Sequence, residues 1–154
     1  MSGYYISYVF VSPEVTTQPV LFMNAKWRAA HQIAGFVLIA CFIFKLYLFI
    51  FDKYSRKEVA SIVDFFNPKV WIAQIKYYLF LGPHPHLKGV YNPLQFASYF
   101  FFYLVLFLIC LTGLVLYVHV YHEGLGGLLY EPMRQCEELM GGLANVRTIH
   151  RICM

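Results

Sequence analysis

Charged residues are scarce in this chain of 154 residues. Only 13% are charged, whereas a soluble globular domain usually carries about a quarter. Hydrophobic residues make up 60% of the chain, and the mean hydropathy is +0.57. This composition favours an integral membrane protein. The net charge of +4 is modest and lies mostly in one connection, so it indicates membrane topology rather than a nucleic-acid partner.

Catalytic and metal-binding motifs are missing as well. The four cysteines form no CxxC or Cys/His pattern, and there is no HExxH, no phosphate-binding glycine loop and no order typical of a nucleophilic triad. GLGG at 124–127 follows no predicted strand, so it is not a dinucleotide fingerprint. An enzyme with a complete active site of its own is therefore disfavoured.

Both ends of the chain look cut. MSGYYISYVFVSP lacks the basic start and apolar core of a signal peptide and resembles the last turns of a membrane helix. The other end, TIHRICM, stops where apolar residues begin to accumulate. We therefore expect a truncated chain, here treated as one incomplete domain over 1–154.

Two segments are long and apolar enough to cross a bilayer, which takes about 20 residues. The first spans about 27–51 and the second about 94–121, opened by Asn92-Pro93. Between them, Pro68 to Leu81 predicts an amphipathic helix lying in the membrane interface. The expected fold is all-α, with two complete spanning helices plus this interfacial helix; a further short helical piece is expected near Glu131 to Met140.

The connection at 52–92 is the basic one, and this predicts its location. It carries six basic residues against three acidic ones, whereas residues 122–149 carry two basic against four acidic. The positive-inside rule then predicts that loop 52–92 is cytoplasmic and that loop 122–149 lies on the outer side of the membrane.

His31 lies in the first turn of the first span, on the predicted outer side. An interfacial histidine can simply contact water and lipid headgroups, but ionisable residues in spanning segments usually mark function. Gly35 lies four residues on, on the same helix face, and leaves space for a flat macrocycle; Arg28, three residues before, could pair with a propionate. This pattern favours an axial haem ligand.

A bis-histidine haem needs a second imidazole from another helix. His150 is the favoured candidate, because it precedes Arg-Ile-Cys-Met, which we expect to be the first turn of a helix entering from the same side. His119 and His122, at the end of the second span, are weaker rivals. Gly113 in the second span is a predicted contact point for a neighbouring helix or the haem.

Taken in order, several motifs resemble a known family. WRAAHQIAGF, the IKYYLFLGPHPHLKGVYNPLQ stretch, LTGLVLY and a late IHR are similar to the cytochrome b subunit of membrane-bound nickel–iron hydrogenases. The resemblance covers essentially the whole chain and is greatest to menaquinone-linked enzymes of the epsilonproteobacterial type. It implies a four-helix transmembrane cytochrome b bundle, of which this chain is a fragment. It also implies a multi-pass protein of the bacterial inner membrane, with loop 122–149 in the periplasm.

The resemblance implies a function and its cofactors. The family accepts electrons from a periplasmic hydrogenase and passes them to quinone; its partners are the iron–sulfur small subunit and the nickel–iron large subunit. His31 and His150 match the ligands of its outer haem b. The ligands of its inner haem have no counterpart here, which implies one haem in this chain against two in the family.

At the inner side we expect a menaquinone site, with His86 as proton relay and Asn92 as hydrogen-bond donor. Ordinary turn chemistry is the alternative for both residues, and a metal site at His84 and His86 has too few companion ligands. Formate dehydrogenase and thiosulfate reductase cytochromes share the general helix plan and remain alternatives for the whole protein. A non-catalytic membrane anchor is the third possibility.

Overall fold

In the computed structural model, the described residues are Gly3 and residues 21–154, with side chains from residue 25 onward. This part of the chain contains helices and no strand, so the all-α prediction is confirmed. The expected helix end near the N-terminus lies outside the described residues, except for Gly3. The helices are α1 (Leu21–Phe51), α2 (Arg56–Phe65), α3 (Pro68–Tyr78), α4 (Pro93–Val118), α5 (Leu125–Leu139) and α6 (Leu143–Cys153).

Among the described residues, two helices are long and apolar enough to cross a membrane, over Ala25–Phe51 in α1 and Pro93–Val118 in α4. α1 exposes large apolar side chains along its length and α4 does so as far as Phe107, with Phe44 61% and Phe101 66% exposed. Exposed apolar surface of this extent is costly in water and favourable in lipid. α4 ends at Val118, three residues before the end of the second predicted span.

The chain divides into two compact units. The first unit comprises the described residues up to Cys41 together with residues 106–154, and the second comprises Phe42–Val105. In the first unit, α1 and α4 meet through an edge-to-face contact between Phe36 and Tyr117, with ring centroids 5.2 Å apart. Tyr121 and Gln32 extend this contact with hydrogen bonds of 3.1 and 3.3 Å. The single domain expected over 1–154 stays a prediction.

The second unit contains α2, which the sequence analysis did not identify, and α3, which lies inside the predicted amphipathic segment. Asp64, buried at the end of α2, accepts hydrogen bonds from the backbone N–H groups of Lys88 at 2.7 Å and Gly89 at 2.9 Å. A β-carbon at Gly89 would overlap the backbone of Ser61. Only glycine allows this close approach, which fixes the loop before α4 against α2.

The last two helices differ from expectation. α5 begins at Leu125 rather than near Glu131, so that Pro132 lies inside the helix. α6 begins at Leu143, and His150 therefore lies two turns into this helix rather than in its first turn. The reason is the pair Gly141-Gly142, whose φ angles of 82° and 96° end one helix and let the next begin at once.

Glu137 holds α5 against the end of α4. Its carboxylate accepts hydrogen bonds from His119 Nε2 at 2.6 Å and from Arg134 at 3.0 Å, and its side chain is only 8% exposed. The bond from His119, helped by the Arg134 charge, lowers the pKa of Glu137 below its ordinary value. A carboxylate with a depressed folded-state pKa adds stability above its unfolded pKa and loses it as the pH falls.

We therefore expect Glu137→Gln to lower the midpoint of thermal unfolding by a few degrees at pH 7. The difference from wild type should shrink as the pH falls below 4.5, the ordinary pKa of a glutamate carboxyl, and through the lower pKa of the folded state. Circular dichroism of the detergent-purified protein measures both midpoints. Glu138→Gln is the matched control, since Glu138 is 73% exposed and lies 4.0 Å from Arg134. A difference that stays constant from pH 7 to pH 4 would contradict the role of Glu137.

Candidate functional site

His31 and His150 face each other in the first unit. His31 comes from α1 and His150 from α6, and their ring centroids are 6.1 Å apart with the ring planes at 88°. Both side chains are partly buried. The structure thus brings together the two histidines that the sequence analysis paired across 118 intervening positions.

Thr112, a residue missed by the sequence analysis, orients the second histidine. Its hydroxyl donates to the carbonyl of Leu108 at 2.6 Å, and its oxygen lies 2.9 Å from Nδ1 of His150. A hydroxyl has one proton, so when it donates to the backbone it can only accept from the imidazole. Nδ1 of His150 therefore carries the ring proton, and Nε2 keeps the lone pair that a metal ligand needs.

A signal for Thr112 was present in the sequence. It is a polar side chain inside a long apolar helix, directly before Gly113, and such residues usually face a neighbouring helix. The side chain is fully buried. Its partner could not be read from the sequence because 38 positions separate Thr112 from His150.

A cavity of about 300 Å³ lies beside His31, between α1 and α4. Both predicted glycines line it. A β-carbon at Gly35 would meet no other atom within 4 Å, and one at Gly113 would come within 3.5 Å of Cε1 of His150. Gly35 therefore leaves open space one turn below His31, and Gly113 brings α4 close to the His150 ring.

In the described part of the chain, the structure does not bring the other predicted outer-side residues into contact with the paired histidines. Arg28 is exposed and, within residues 25–154, has no recorded ion pair. His119 is bound to Glu137, as described above, and His122 packs edge-on against Tyr130 at 6.1 Å. Propionate pairing by Arg28 stays a prediction.

In the second unit, Asn92 begins α4. Its side-chain oxygen accepts from the N–H of Gln95 at 2.8 Å, while the Gln95 side chain accepts from the N–H of Asn92 at 3.3 Å. This reciprocal arrangement is a capping box. The Asn92 amide nitrogen donates to the hydroxyl of Tyr78 at 3.2 Å. His86 is exposed, and the quinone role of both residues stays a prediction.

Comparison with known proteins identifies the family. The Prokaryotic cytochrome b561 family matches the chain over residues 1–154. This chain belongs to that family. It is 27% identical over 164 residues to the protein named "Probable Ni/Fe-hydrogenase 1 B-type cytochrome subunit" in Escherichia coli strain K12, and equally to the protein of that name in E. coli O157:H7.

The alignment includes all of this chain and 66% of each relative, so the chain spans just under two thirds of their length. No solved structure matches the chain. The family is membrane-integral and its members are b-type cytochromes, which implies electron transfer with haem b.

The paired histidines fit haem b. Two imidazoles bound to one metal ion by bonds of about 2 Å have ring centres roughly 6 Å apart, which agrees with the 6.1 Å between His31 and His150. The open space at Gly35 lies directly beside them. When bound, haem b supplies a one-electron redox centre; His31 and His150 would hold it, and Thr112 keeps His150 in the tautomer that can bind iron.

We expect Thr112→Val to weaken haem binding by about 10- to 100-fold, because it removes the acceptor that orients His150 while keeping the side-chain size. Thr112→Ser keeps a hydroxyl and should bind haem like wild type. Haem titration, followed by the b-type absorption bands, measures the affinity.

The matched control is Ser98→Ala, which removes an exposed hydroxyl bonded only to the helix carbonyl of Leu94. Unchanged haem affinity and unchanged midpoint potential in Thr112→Val would contradict the positioning role of Thr112.

Proposed function

We propose that this chain is the haem b electron-transfer subunit of a membrane-bound hydrogenase complex. It carries electrons from a periplasmic nickel–iron hydrogenase to menaquinone and anchors the complex in the bacterial inner membrane. Its protein partners are the iron–sulfur small subunit and the nickel–iron large subunit. Two spanning segments, with loop 52–92 in the cytoplasm and loop 122–149 in the periplasm, give its topology.

The pairing of His31 with His150 is the observation that supports this proposal most. The two imidazoles come from separate helices, and their ring centroids are 6.1 Å apart. A merely interfacial histidine has no need of a second ring, of a buried hydroxyl that fixes its tautomer, or of a glycine that opens space beside it. These three features together favour a haem site over a membrane anchor without a cofactor.

The hydrogenase as electron donor is supported by the names of the two E. coli relatives and by the order of motifs along the chain. Menaquinone as acceptor is supported by that resemblance alone. His86, exposed in the loop before α4, could relay protons to water, and Asn92 could donate to a quinone oxygen after giving up its bond to Tyr78.

We expect His31→Ala to abolish the reduced b-type spectrum of this haem, because one of its two axial ligands is lost. The variant is expressed in the native host and assayed in isolated membranes. The electron flow from hydrogen to an added naphthoquinone should fall to background in the same membranes. Difference spectra under hydrogen and the rate of naphthoquinone reduction measure both effects.

His122→Ala is the matched control, because it removes a histidine near the same membrane side that contacts Tyr130 and not the pair. A full b-type spectrum in His31→Ala would contradict the haem assignment. Reduction of the haem by formate but not by hydrogen would contradict the hydrogenase as donor.

A further inference from the structure

The second unit contains a cavity of about 540 Å³ that the proposed function has not used. Nine of its thirteen lining residues are aromatic, and two more are aliphatic. The volume lies in the range of small-molecule sites, roughly 300–1,000 Å³. Aromatic walls of this kind favour a flat ring and an apolar tail, because rings stack on them and alkyl chains lose contact with water.

The remaining two lining residues are Lys45 and Glu58, which form an ion pair. Nζ of Lys45 donates to both carboxylate oxygens of Glu58, at 3.0 and 3.2 Å. Lys45 lies about 9 Å along the helix axis from the end of α1, inside the segment suited to cross the membrane. An ionisable side chain at such a depth is costly and usually functional.

The ion pair restricts the chemistry of the ligand. Because the ammonium and the carboxylate balance each other, the cavity wall has no net charge and suits a neutral ligand. An ammonium has three N–H donors and Glu58 occupies only part of them, so Lys45 can still donate to an oxygen of the ligand. None of the lining residues is histidine, cysteine or methionine, so these walls offer no axial ligand to a haem.

Tyr91 completes the polar part of the wall. Its backbone N–H donates to Ser61 Oγ at 3.1 Å, which fixes the residue against α2, and its ring packs on Tyr99 at 4.8 Å. Burial, with the Glu58 charge nearby, raises the pKa of the Tyr91 phenol, so the hydroxyl keeps its proton and remains a hydrogen-bond donor.

We propose that this cavity binds the ring of a lipid-soluble quinone, with Lys45 donating a hydrogen bond to a ring carbonyl oxygen and Glu58 holding Lys45 in place. This deepens the proposed function, on which it rests for the ligand class, and assigns the quinone ring to residues that the sequence analysis did not consider. His86 and Asn92 do not line this cavity, so in this proposal Lys45 replaces Asn92 as the donor to the ring.

The test is equilibrium binding of a radiolabelled short-chain naphthoquinone to the purified complex. Lys45→Met removes the donor and should weaken binding by about tenfold or more, since a hydrogen bond from a charged group contributes about 1.5–3 kcal/mol. Ile62→Trp fills the cavity without changing the ion pair and should weaken binding as well. The second variant keeps the test decisive if Lys45→Met lowers protein yield.

Lys53→Met is the matched control, because it removes the same charge from an exposed residue outside the cavity. It should bind naphthoquinone like wild type. Wild-type binding in Ile62→Trp together with wild-type binding in Lys45→Met would overturn the proposal. A loss of haem from Ile62→Trp would overturn it too, since the occupant would then be a porphyrin.

These outcomes are separate from those that test the proposed function. Reduction of the haem by hydrogen does not depend on the quinone, so it should persist in Lys45→Met and in Ile62→Trp. If hydrogen fails to reduce the haem while naphthoquinone binding depends on Lys45, the donor assignment is wrong and the cavity assignment stands. If hydrogen reduces naphthoquinone at the wild-type rate in both variants, the cavity assignment is wrong.

Discussion

The hydrogen bond between Thr112 and His150 is the interaction on which the candidate haem site depends. It joins α4 to α6 and determines which nitrogen of His150 carries the proton. Without it, the imidazole could rotate or adopt the tautomer that has no lone pair at Nε2, and the ring could not serve as a ligand opposite His31. The buried hydroxyl thus does for this pair what an outer-shell carboxylate or carbonyl does in many metal sites.

Each unit pairs an apolar cavity with a small number of polar groups, but the two sets have different chemistry. In the first unit the polar groups are two imidazoles and a hydroxyl, suited to hold an iron porphyrin. In the second they are an ammonium, a carboxylate and a phenol, suited to a neutral ligand with oxygen acceptors. Apolar walls alone would not distinguish these ligands; the few polar side chains do.

Glycines and buried polar groups, rather than apolar packing, hold the short helices in place. Few large side chains are fully buried among the described residues, since α1 and α4 expose theirs to the surroundings. Asp64 fixes the loop before α4, Glu137 fixes α5, and the Gly141-Gly142 turn sets where α6 begins. In a membrane the hydrophobic effect contributes little to helix association, so close packing and hydrogen bonds contribute a larger share of its stability.

The sequence by itself determined the class of the protein, the two long helices and the pairing of His31 with His150. These follow from hydropathy, helix periodicity and the order of motifs, which are local or nearly local properties. Only the tertiary structure decided which residues complete the sites. Thr112 meets His150 across 38 positions and Lys45 meets Glu58 through a helix, α2, that the sequence analysis did not identify. Such contacts depend on how the helices pack, and this packing cannot be predicted from the spacing of residues along the chain.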